Sequence, residues 1–131
     1  MAQLPTIIDR VFRRDPAKFE RDRKRVERGF WPKIRRNLGR LSFLEDAVTA
    51  YYCAVDPMTP FKVKAALMGA LAYFVLPSTM LPRLLRVTRL MDSSVMLSAA
   101  VRDFSRHIRP EHRLRAQAAL ARLREEEEVE R

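Results

Sequence analysis

Between Ala65 and Pro82 the chain carries no charged residue, although 32% of the whole sequence is Asp, Glu, Lys or Arg. Such a stretch has to leave water, and only the protein's own core or a lipid bilayer can receive it. Thr59-Pro60 reads as an N-cap followed by the first helical position, where the N–H that proline lacks is not needed. A helix over 60–76 would be about 25 Å long, and its uncharged part, 65–76, about 18 Å. The hydrocarbon core of a bilayer is about 30 Å thick, so this run suits a buried core helix or a re-entrant segment better than a span. Pro77 should end the helix, and Ser78, Thr79 and Pro82 turn the chain. Arg83, Arg86 and Arg89 follow at three-residue spacing. Small residues four apart, Ala65 with Gly69 and Ala66 with Ala70, would let another backbone approach, in a core or in a membrane.

The residues Ala70-Leu71-Ala72-Tyr73-Phe74-Val75-Leu76-Pro77, then Met80-Leu81-Pro82 and Asp92, resemble the YkvA-like family of small bacterial helical proteins. The likeness is strongest over 60–101, with an echo in His107-Ile108-Arg109-Pro110-Glu111. It implies a helical domain of unknown function, often membrane-associated. The family pattern is roughly LAYxxxPxDxIPDxxPxxGxxDD, and this chain departs from it at telling places. Thr79, Arg83 and Ser93 stand where the pattern has acids, Arg86 where it has Pro and Arg89 where it has Gly. Of four acidic positions only Asp92 is acidic here, so no carboxylate cluster is carried over from the family.

Only three glycines, with abundant Leu, Ala, Arg and Glu and no alternating strand pattern, predict an all-α fold. We expect a small bundle of about five helices around a central apolar helical hairpin punctuated by prolines. Three regions are expected: a basic amphipathic region over 1–40, a helical core over 41–110 and a charged helix with an acidic tail over 111–131. At 131 residues the chain is long enough for a real core. Pro5 and Arg10 interrupt the N-terminus before an apolar signal segment develops, so the polar parts are expected in the cytoplasm.

Charge is unevenly placed. Residues 1–40 hold 13 Lys/Arg against 5 Asp/Glu, residues 41–82 hold 2 against 3, and residues 83–131 hold 11 against 8, for a net of +10. Leu4 to Phe12 is a short amphipathic piece. Asp15-Pro16 then opens a long basic helix whose apolar residues are Phe19, Val26, Phe30, Trp31, Ile34 and Leu38. Pro32 should kink or divide it, and Gly39 should cap it. A helix of this kind suits a membrane interface, or else is a surface helix packed on the core with solvated charges.

Ser42 and Glu45 form a capping box, opening a helix with Leu44, Val48, Tyr51, Tyr52 and Val55 on one face. It should stop at Asp56-Pro57. Asp92 or Ser93 should cap a further helix reaching about Arg109, with Val95, Met96, Ala99, Ala100, Val101 and Phe104 inside. Pro110 should start the last helix, with Leu114, Ala118, Leu120 and Leu123 alternating with arginines. The run Glu125–Glu128 is expected to be solvated and frayed, with folding back onto the basic helix the less favoured alternative.

Residue types for catalysis are not assembled. No Gly-rich phosphate loop or GxSxG elbow occurs, and His107 and His112 are five apart across Pro110, unlike an i, i+4 metal pair. The single cysteine, Cys53, lies among apolar residues and reads as a buried structural thiol. No catalytic, metal-binding or cofactor-binding residue is expected, and no small-molecule substrate.

Charge and hydropathy, together with what the YkvA-like resemblance implies, favour a non-enzymatic protein on the cytoplasmic side of a bacterial inner membrane. Contact with the anionic surface is expected through Arg21, Lys24, Arg25, Arg28, Trp31, Lys33, Arg35, Arg36, Arg83, Arg86 and Arg89. The apolar hairpin, with Leu67, Leu71, Phe74, Val75, Leu76, Pro77, Leu81 and Pro82, would be a shallow re-entrant insertion or the core of a peripheral bundle, with full insertion left open by the family resemblance. Basic residues on both sides of it (Lys62 and Lys64, then Arg83, Arg86 and Arg89) keep both ends on one side of a membrane. The alternative is a soluble basic module that binds nucleic acid or an acidic protein.

Overall fold

In the computed structural model, which describes residues 16–39, 41–76 and 93–130, five α-helices and one short 3-10 turn make up the fold, with no strand among those residues. They are α1 (Pro16–Arg36), α2 (Leu41–Val55), α3 (Phe61–Val75), α4 (Ser93–Asp103) and α5 (Pro110–Glu130). The all-α bundle expected from composition is therefore the observed architecture. The segment over 4–12 and the arginine-rich segment over 77–92 lie outside the described residues.

α3 is the hub. It packs against α1, α2 and α4, while α5 lies across α2. Ten of its residues are buried, including Leu67, Leu71 and Phe74, because apolar or small side chains occupy nearly its whole circumference. A helix apolar all round is stable in water only when neighbours surround it, and these three provide that. Around it sit Val26, Phe30 and Ile34 of α1, Leu44, Val48 and Cys53 of α2, and Leu97, Ala100 and Val101 of α4. Pro77 ends the helix through its neighbour: Leu76 is extended (φ −61°, ψ 136°), as the residue before a proline must be.

Several boundaries differ from the sequence reading. α1 runs through Pro32 as one continuous helix, so the proline does not divide it. It ends at Arg36, where the Asn37 side-chain amide donates to the Lys33 carbonyl (2.8 Å). Gly39 takes no left-handed φ and is not the cap. α2 begins at Leu41, which makes Ser42 helical rather than an N-cap. Thr59 does not cap α3 either: the N-cap is Pro60, and the Thr59 hydroxyl donates backward to the Cys53 carbonyl (2.7 Å), closing the end of α2.

Val55 is 42% exposed and outside the α2 core face, whose buried positions include Ala47, Ala50, Cys53 and Ala54. α4 stops at Asp103 rather than near Arg109, and Ser105–His107 forms the 3-10 turn. On α5 the buried stripe is His112, Ala116, Ala119, Leu120 and Leu123, at i, i+4, i+7, i+8 and i+11. Leu114 is 65% exposed, and Ala118 is exposed too. The acidic run is not frayed: α5 continues through it to Glu130.

Candidate basic surface on the first helix

Helix periodicity places Arg21, Lys24, Arg25 and Arg28 at i, i+3, i+4 and i+7, so the four share one stripe of α1. All four are exposed. The acids of the same helix are held chiefly by other cations, Glu20 also feeling the charge of Lys24. Lys18 pairs with Asp22 (2.6 Å), and Arg23 holds both Glu20 (2.8 Å) and Glu27. The hydrogen bond from Arg23 lowers the Glu20 carboxyl below its ordinary range. Among the described residues none of the four stripe cations lies in an ion pair.

The quartet surrounds a shallow groove of about 400 Å³ between α1 and the end of α3, with Gly29 and Val75 also lining it. Gly29 is required by that crossing. A Cβ there would fall inside van der Waals contact with Val75 Cγ1, so only the bare Cα lets the helices approach so closely.

Farther along the stripe the cations are differently placed. Arg35 lies 3.6 Å from Glu126 of α5, and both are exposed. Arg35, Arg36 and Leu38 share a cleft of about 260 Å³ with Leu123, Glu126, Glu127 and Glu130. The acidic run, still helical, thus meets the end of the basic helix at Glu126, a limited form of the alternative the sequence reading favoured less.

Lys33 is directed inward: its ammonium donates to the Phe74 carbonyl and sits 4.7 Å from the Phe74 ring centroid. There it offsets the partial negative charge at the C-terminal end of α3. Trp31 is half-buried, packed edge-on to Phe30 (5.1 Å) and Tyr51 (5.3 Å). Phe30 in turn stacks on Tyr51 at 4.8 Å. Leu67, Leu71 and Phe74 face the protein's own core, and Val75 and Leu76 are half-buried. Pro77, Leu81, Pro82, Arg83, Arg86 and Arg89 lie outside the described residues.

A second polar cluster escaped the sequence reading. His112 is 2% exposed, with Nε2 2.8 Å from Asp56 Oδ2 and Nδ1 accepting the Arg109 amide N–H (2.9 Å). An acceptor at Nδ1 leaves the proton on Nε2, so a neutral imidazole donates to Asp56. That bond, with the Met58 N–H, lowers the Asp56 carboxyl below its ordinary range. His112 occupies the third position of α5 and reaches back to the residue before Pro110, the role Glu or Gln takes in a capping box.

Lys64 donates to the Asp56 carbonyl (2.8 Å), and burial pulls its ammonium below the usual lysine range. The Cys53 thiol donates to the His107 carbonyl (3.4 Å), and burial pushes it up, away from thiolate. Both imidazole nitrogens are thus engaged, and the His112–Asp56 bond joins α5 to the α2–α3 turn.

Among the described residues no helix is long and apolar enough to cross a membrane, and no three His, Cys, Asp or Glu side chains converge as a metal site. No family model, curated protein or solved structure matches the chain.

Proposed function

We propose that this is a non-enzymatic, peripheral protein of the YkvA-like kind, held at the anionic cytoplasmic face of a bacterial membrane by the basic stripe of α1. The observation that carries this reading is the quartet Arg21, Lys24, Arg25 and Arg28, exposed together with no carboxylate paired to it among the described residues. Each cation near an anionic surface contributes about 1 kcal/mol. Four together give about 4 kcal/mol, a reversible and salt-sensitive attachment. α3 contributes rigidity rather than lipid contact, since Leu67, Leu71 and Phe74 are spent on the core.

Nucleic acid is the second reading, because a linear basic stripe also suits a phosphate backbone. It is weakened by the aromatics. Trp31, Tyr51 and Tyr52 pack on one another, away from a role as a stacking platform for bases.

The test is flotation of the full chain with anionic and with zwitterionic vesicles, with duplex DNA as competitor. Binding should require anionic lipid, and replacing all four stripe cations by Gln should weaken it by up to about 1000-fold. Undiminished vesicle binding by that variant would refute the assignment, and stronger retention by DNA than by vesicles would favour the second reading.

A further inference from the structure

Resting on the membrane-surface reading, we infer that the groove between α1 and α3 is a headgroup site for a lipid carrying a phosphomonoester. Three features distinguish it from an ordinary solvated basic face. Four cations border one shallow groove of about 400 Å³, and no carboxylate is among the lining residues described. The floor is apolar and low, formed by the bare Gly29 and by Val75. Lys33 also compensates the C-terminal end of α3 at Phe74, so the adjoining helix end repels an anion less.

The charge on the ligand decides the class. A phosphodiester headgroup brings one negative charge, while a phosphomonoester carries about −1.5 to −2 at pH 7 and three acceptor oxygens. Arg21, Arg25 and Arg28 can each meet such a group with paired N–H donors. Lys24 adds a point charge. The glycerol carbons that follow the phosphate would rest on Val75. A diffuse basic surface responds only to total charge, whereas a groove with four cations along one wall favours the compact dianion.

Phosphatidylcholine vesicles containing either phosphatidic acid or phosphatidylglycerol, matched for surface charge, test this by flotation of the full chain. Phosphatidic acid should bind about 5-fold tighter or more, and the preference should shrink as the pH falls below about 6, where the second phosphate proton returns. Arg25→Gln with Arg28→Gln should abolish the preference. Arg106→Gln with Arg115→Gln, exposed cations away from the groove, makes the same change in net charge and should keep it.

Equal binding to both charge-matched vesicles overturns the headgroup site and leaves the surface reading standing. Absence of binding to either overturns both. Preference that survives in the Arg25/Arg28 variant overturns the groove as its location. Binding of free glycerol 3-phosphate, with no binding of vesicles, overturns a lipid as the occupant.

Discussion

Gly29→Ala pits helix propensity against a helix crossing. In an open helix the change should stabilise by about 1 kcal/mol, because Ala loses less backbone entropy. Here the new Cβ meets Val75 Cγ1. Val75 cannot swing aside cheaply, since a β-branched side chain in a helix has one strongly preferred rotamer. Overpacking of this kind costs about 1–3 kcal/mol, so Gly29→Ala alone should destabilise by about 0–2 kcal/mol.

Val75→Ala removes the obstructing methyl groups, and on that background Gly29→Ala should stabilise by about 1 kcal/mol. The coupling in the double-mutant cycle is then about 1–3 kcal/mol. Equilibrium urea unfolding of the four proteins measures it. The single tryptophan, Trp31, is a convenient probe because it packs within the α1–α2 aromatic cluster. If Gly29→Ala stabilises equally with Val and with Ala at position 75, α1 and α3 do not cross at Gly29 and the groove described above does not exist.

Three further outcomes are expected. Leu71→Ala should cost about 2–5 kcal/mol, since the side chain is fully buried between α3 and its neighbours; a loss below about 1 kcal/mol in urea unfolding would contradict a core position. Because Asp56 has its pKa lowered in the fold, its contribution is present above the unfolded aspartate value of about 3.9 and is lost as pH falls through the lower folded value. Wild type should therefore lose stability below about pH 4 more steeply than Asp56→Asn, and parallel curves would remove the His112–Asp56 bond as the cause. Neutralising Glu126 and Glu127 with Gln should strengthen binding to anionic vesicles more than neutralising Glu111 with Gln together with Asp46→Asn, by removing the carboxylates beside the exposed Arg35 and Arg36; equal gains would reduce the effect to net charge.

Much of the fold was legible because local rules act along one helix. The uncharged stretch announced the central helix, Pro77 its end, and Asp15-Pro16 the start of α1. The basic quartet was equally readable, for its spacing is that of one helix face. Less legible were cap assignments where a side chain had a better partner elsewhere. Thr59 has the composition of an N-cap for α3, yet its hydroxyl turns back to Cys53, a choice that depends on how tightly the α2–α3 turn closes. On α5, the alternation of Leu and Arg singled out no face, whereas in the fold the helix packs on α2 and buries His112, Ala116, Ala119, Leu120 and Leu123.

By itself, then, the sequence determined the all-α class, the approximate helices and the basic stripe, since each follows from periodicity and from residues that permit or forbid a helix. Only the tertiary structure decided which cations remain exposed without an ion partner. Lys33 is committed to the end of α3, Arg35 faces Glu126, Lys18 and Arg23 hold acids of their own helix, and Arg21, Lys24, Arg25 and Arg28 border a groove whose floor, Gly29 against Val75, joins residues 46 positions apart. Charge and spacing are properties of one helix, whereas pairing, burial and a hollow between helices exist only once separate helices meet.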